Sequence, residues 1–130
     1  MLILTIKTDQ PLAEIGLFEG EKKLDYIKWE AHRQLTETIF SKIKSVLDKN
    51  QKGFENLDAL IVYEGPGSFT GLRIGIAVAN AIAYSLNKPI VATTSEDWIK
   101  IGQKKITDGE ISKIVFPKYG APVHITLPVH

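Results

Sequence analysis

The sequence contains no cysteine, which excludes disulfides, thiolate metal sites and a thiol nucleophile, and suits a reducing compartment. Charge is close to balanced. Its 16 Lys and Arg against 15 Asp and Glu leave a net charge of +1, so no excess field draws the chain as a whole to a nucleic-acid backbone. Histidine numbers three. His32 is followed four residues later by Thr36 instead of a second histidine, which makes a poor helical metal site, and His124 and His130 fall in a proline-containing tail. Ser68 and Thr70 carry hydroxyls but have no recognisable base and orienting acid beside them. No apolar run is long enough to span a bilayer. The most apolar window, Ile74–Leu86, is too short and holds Asn80. The first residues lack a basic segment leading into a long apolar one, so they read as a strand and not as a secretory leader. These features point to one domain of a cytoplasmic protein with no metal.

Within 130 residues, a hydrophobic content of 44% suffices for one core. Leu2–Lys7 and Ala13–Phe18 are short β-type runs joined by the turn-forming residues Thr8 to Pro11. After a second turn at Glu19–Glu21, Lys22–Trp29 alternates and completes an antiparallel meander. Leu24, Tyr26 and Lys28 are expected on one face, with Lys23, Asp25, Ile27 and Trp29 on the other. From His32 to Lys49, Leu35, Ile39, Ile43, Val46 and Leu47 recur at helical spacing, and Phe40 widens the stripe. Leu57–Tyr63 is nearly all apolar, as expected of a strand covered on both faces and central in the sheet.

A helix is predicted over Thr70–Leu86, ended by Asn87 and Pro89, followed by a strand at Ile90–Thr93. Ser95 resembles an N-cap for a helix ending near Gly102, and Ile111–Phe116 could form another strand. Residues 117–130, with Pro117, Gly120, Pro122 and Pro128, form an irregular tail beyond a domain spanning 1–116. The order β-β-β-α-β-α-β-α predicts an α/β fold: a ribonuclease H-like half of the actin-like (ASKHA) architecture, with a mixed five-stranded sheet and helices on its faces.

Between strand and helix stands Glu64-Gly65-Pro66-Gly67-Ser68-Phe69-Thr70-Gly71. Free amides and the positive end of a helix dipole converge at such a junction and can hold an anion. Gly65, Gly67, Ser68, Thr70 and Arg73 are the candidate residues. Two details argue for a purely architectural turn. Leu72-Arg73 stands where a P-loop needs Lys-Ser/Thr, and Pro66 removes an amide. Past the loop, Gly71, Gly75, Ala79 and Ala83 line up at i+4 intervals as a ridge of small side chains. Ile74, Val78 and Ile82 form a separate stripe suited to the sheet. A helix apolar on most of its circumference must be covered on most of it, which suggests a partner subunit.

The run from Leu57 to Tyr84, and above all Gly65-Pro66-Gly67-Ser68-Phe69-Thr70-Gly71-Leu72-Arg73-Ile74-Gly75, resembles the signature stretch of the TsaB (YeaZ) family. That family supplies the partner subunit of the bacterial machinery that makes threonylcarbamoyladenosine (t6A) in tRNA. The resemblance implies a non-catalytic scaffold and activator that dimerises with the transferase TsaD and is joined by the ATPase TsaE. In the absence of TsaD it implies a homodimer. It also implies tRNA contact only through the complex, no cofactor and no membrane. The partner interface it implies lies on the two helices, at Leu35, Ile39, Ile43, Gly71, Leu72, Gly75, Ala79 and Ala83. Two departures stand out. Lys7 occupies the end of the first strand, where actin-like ATPases and many TsaB chains carry an acid, and the chain lacks most of a C-terminal subdomain common in the family. From other classes, the alternatives are a nucleotide-dependent ATPase or phosphotransferase of the actin-like superfamily, and a peptidase, as older family descriptions have it.

Overall fold

Four of the six side chains of Leu2–Lys7 are apolar and Thr5 is buried with them, so this strand, β1, is covered on both faces. The computed structural model, which describes residues 1–67, 69–113 and 115, places it in the middle of a five-stranded sheet of order β3-β2-β1-β4-β5. Strand β2 (Leu12–Glu19) pairs antiparallel with β1 and with β3 (Lys22–Glu30), while β4 (Ala59–Tyr63) and β5 (Ile90–Thr93) run parallel to β1. The mixed five-stranded sheet expected from the sequence is present. Strand β4 is interior, between β1 and β5, but the central position belongs to β1.

Alternation assigns the two faces. Leu4, Ile6, Ile15, Leu17 and Leu60 are fully buried on one of them. Helix α1 (Leu35–Lys49), entered through a 3-10 turn at His32–Gln34, and helix α2 (Phe69–Leu86) pack side by side over that face. Leu35, Ile39, Ile43, Val46 and Leu47 of α1 are all buried, and each such side chain contributes on the order of 1.5–3 kcal/mol. Trp29 on β3 donates its indole N–H to Thr38 Oγ1 at 3.1 Å, fastening α1 to the sheet's outer strand.

Helix α3 (Trp98–Thr107) covers the other face, with Trp98 edge-on to Tyr63 at a centroid distance of 6.1 Å. The sequence suggested an end near Gly102 and a cap at Ser95. Gly102 instead lies inside the helix, where its bare Cα lets α3 settle onto Ile61, and the N-cap position falls at Asp97. Ser95 adopts φ +80°, a loop conformation and not a cap. Of the strand expected at Ile111–Phe116, the described residues form one bridge, Ser112 to Ile90. Phe116 and the tail lie outside them.

The meander departs from simple alternation at one residue. Leu17 faces Asp25 whereas Phe18 faces Lys23, so Leu24 is an extra residue in a bulge and Lys23 changes face. Its ammonium lies 6.0 Å from the centroid of the Tyr26 ring. The Tyr26 hydroxyl donates to Glu14 Oε1 at 2.6 Å. Burial, reinforced by that carboxylate, pushes the phenol pKa far above its ordinary value.

Replacing a helical glycine by alanine ordinarily stabilises by up to ~1 kcal/mol. At Gly102 the added methyl would sit 2.5–2.9 Å from Ile61, so Gly102→Ala is expected to destabilise by roughly 1–3 kcal/mol in urea denaturation. A gain in stability would mean that α3 is free to lift off the sheet.

Candidate functional site

Parallel strands present their C-terminal ends on one side, where ligands bind in open α/β sheets. Here Lys7, Tyr63 and Thr93 end β1, β4 and β5, and the three residues Lys7-Thr8-Asp9 meet the glycine loop. The Lys7 ammonium pairs with Asp9 Oδ1 and stands over the Tyr63 ring, 4.6 Å from its centroid. The Tyr63 hydroxyl donates to Pro66 O at 3.3 Å. Burial raises the Tyr63 pKa, with Asp9 adding to the effect and Lys7 opposing it. Gly67 lies so close against Asp9 that a Cβ there would overlap the Asp9 side chain. Thr8 Oγ1 donates to the Gly71 carbonyl at 2.8 Å, and Gly75 rests on the Thr8 side chain with no room for a methyl between them.

The fold suggests a magnesium-nucleotide site at these strand ends, but the donor set does not fit one. Where a cation would need a carboxylate, β1 ends in an ammonium, and Asp9 is already paired with it. The candidate anion residues are also dispersed. Gly65 is buried with φ +115°, and Gly67 is pressed on Asp9. Thr70 and Arg73 are exposed, and Ser68 lies outside the described residues. Thr8-Asp9 read as turn composition in the sequence. Its role in seating the loop depends on contacts across more than fifty residues, for which local pattern carries no signal.

The residues expected to face a partner turn inward. Leu35, Ile39 and Ile43 lie in the core beneath α1, and Leu72, Gly75, Ala79 and Ala83 lie in the core beneath α2. Gly71 is half-buried, its carbonyl taken by Thr8. The small-residue ridge and the Ile74-Val78-Ile82 stripe exchange their expected roles. The ridge meets the chain's own sheet, where small side chains permit the close approach, while Ile74 and Ile82 lie on the flank next to α1.

What the two helices expose is different. Tyr84 is 81% exposed and Phe40 48%. A groove of about 300 Å³ runs between α1 and the end of α2, lined by Phe40, Phe54, Ala81, Ile82, Ser85 and Leu86. Phe40 was legible as the residue widening the α1 stripe. Tyr84 and Phe54 carried no such signal. On the opposite flank of α2, Asn80 donates from Nδ2 to Val115 O and accepts from Val115 N through Oδ1, both at 2.8 Å.

The sheet order, the helix pair on one face and the third helix on the other define a ribonuclease H-like half of the actin-like fold, here with a glycine loop bound to its own first strand. The profile of the family described as TsaD, tRNA N6-adenosine threonylcarbamoyltransferase, matches residues 29–107. A Haemophilus influenzae protein named tRNA threonylcarbamoyladenosine biosynthesis protein TsaB is 32% identical over 70% of this chain and 38% of its own length. A Bacillus subtilis protein of the same name is 30% identical over 92% of this chain and 52% of its own. The solved structure of YeaZ from Pseudomonas aeruginosa superposes with a TM-score of 0.63 at 26% identity, covering 72% of this chain and 45% of the other. The chain belongs to the TsaB (YeaZ) family, within the wider family whose profile carries the TsaD description. It spans about half the length of these relatives or less.

Because Ala79 is 0% exposed, Ala79→Glu is expected to lower stability by several kcal/mol, on the order of the penalty for an unpaired buried charge. Thermal melting tests this. An unchanged melting temperature together with lost association would place Ala79 on a surface after all.

Proposed function

We propose that this chain is a non-catalytic subunit that docks on a TsaD-type threonylcarbamoyltransferase and activates it for t6A modification of tRNA. Family membership and the relatives' names, which assign them to threonylcarbamoyladenosine biosynthesis, support this reading. The observation that carries it is the contrast between two places in the fold. The strand ends, where the fold allows chemistry, are occupied by the chain's own Lys7, Asp9 and Gly67, whereas the outward side of α1 and α2 leaves aromatic surface around Phe40 and Tyr84 uncovered. Exposed aromatic side chains beside an apolar groove are what an interface centre needs. The docking surface is therefore the outward side of the two helices predicted from the sequence, through side chains other than the buried ones. A TsaE-like ATPase would join this pair, a second copy of the chain would take the same surface when TsaD is absent, and tRNA would be held through the complex. The setting is the cytoplasm. Among the described residues no helix is long and apolar enough to cross a membrane.

Tyr84→Glu combined with Phe40→Glu is expected to weaken binding to a TsaD-type subunit at least about tenfold, with the melting temperature unchanged, as read by calorimetry and thermal denaturation. Unaltered affinity would move the surface elsewhere. Failure of the unsubstituted chain to bind any TsaD-type subunit would overturn the function itself. Titration of ATP with magnesium into the chain is expected to give no binding in the sub-millimolar range. A saturable heat would favour the phosphotransferase alternative.

A further inference from the structure

We propose that the Lys7 ammonium is a built-in counter-ion: it holds the Asp9 carboxylate under Gly67 and thereby fixes the glycine loop and the start of α2 without any bound cation.

The geometry behind this comes from both sides of the loop. Asp9 is 6% exposed, and a carboxylate so placed is unfavourable unless paired. Lys7, two residues earlier, supplies the charge, and its side chain is itself only 19% exposed. Lys7 ends β1 and Asp9 stands in the bend just beyond it, so the pair closes over the turn by which the chain leaves the strand. The ammonium also faces the Tyr63 ring, and the Tyr63 hydroxyl holds Pro66. Asp9 supports Gly67 by direct contact. Lys7 thus reaches the loop by two routes, through Asp9 to Gly67 and through Tyr63 to Pro66. Immediately beyond, Thr8 holds Gly71 and abuts Gly75, so the same tripeptide sets where α2 begins.

An acidic strand end would leave uncompensated negative charge here, and a divalent ion would be its natural complement. An ammonium removes that need. Loop and helix are then held in one arrangement whatever the magnesium or nucleotide concentration. Lys7 is in these terms a positioning residue for α2. This inference concerns the chain alone and stands whether or not a TsaD-type subunit is the partner.

Hydrogen exchange read by mass spectrometry over the loop and first turn of α2, with β4 (Ala59–Tyr63) as an internal reference, tests it. Lys7→Met is expected to raise loop exchange about tenfold or more, the loss of a charge-assisted bond, while β4 changes less. Lys7→Arg keeps the cation and is expected to stay within about threefold of the unsubstituted chain. Asp9→Asn is expected to loosen the loop as well. The double variant Lys7→Met/Asp9→Asn is expected to recover part of the protection, because no orphan carboxylate remains. Millimolar magnesium is expected to leave the unsubstituted loop unchanged. The proposal is overturned by unchanged loop exchange in Lys7→Met, by effects that simply add in the double variant, or by magnesium tightening the unsubstituted loop. Should Lys7→Met fail to fold, the Arg and Asn variants and the magnesium comparison still decide.

Discussion

The close seating of α2 on the end of β1 is the constraint from which the rest of the structure follows. Gly75 lies on Thr8 with no space for a side chain, and the Thr8 hydroxyl takes the Gly71 carbonyl. A helix this near the sheet cannot carry large residues on its inner side, so Ala79 and Ala83 continue the narrow track while Leu72 and Ile76 fill the space beside it. Depth at α2 then sets the position of α1, which packs against it and spans β2 and β3. The groove between the two helices, with Phe40 and Phe54 at its rim, is the gap left by two cylinders settled at fixed height on a twisted sheet.

The same seating argues against an anion cradle in a loop of familiar shape. A glycine-rich turn before a helix binds an anion when its amides face open space. Here Gly67 faces Asp9 and a proline occupies position 66. The glycines serve contact between parts of one chain, and the loop's shape is the outcome of that contact. At the end of β1 the Lys7 ammonium, paired with Asp9, makes this place an internal joint of the chain.

Much of this was legible in the amino-acid order, for physical reasons that also mark where legibility ends. The α1 stripe of Leu35, Ile39, Ile43, Val46 and Leu47 was readable because a long amphipathic helix has one apolar side and one solvent side. Helix α2 is apolar on several sides. Periodicity shows which residues share a side but not what that side meets, and the ridge and the stripe were accordingly exchanged. Gly102 resembled a stop because glycine commonly follows a helix, yet here a neighbour's bulk demanded it within one. The bulge at Leu24 left no mark, since inserting one residue shifts later side chains without altering composition. Contacts such as Asp9 to Gly67 join distant positions, and only the closed fold brings them together.

The clasp between Asn80 and Val115 has a mechanical meaning. A side-chain amide offers the same donor and acceptor as a peptide unit, so Asn80 lets a helix imitate the edge of a strand toward the chain that passes it. Beyond α3, Ser112 bridges to Ile90 on the outer strand β5, and Val115 lies beside α2. Tension applied beyond Val115 is therefore delivered first to the middle of α2, then to the bridge between Ser112 and Ile90, and only afterwards to the sheet. The helix beside the uncovered aromatic surface is also the one to which Val115 is fastened.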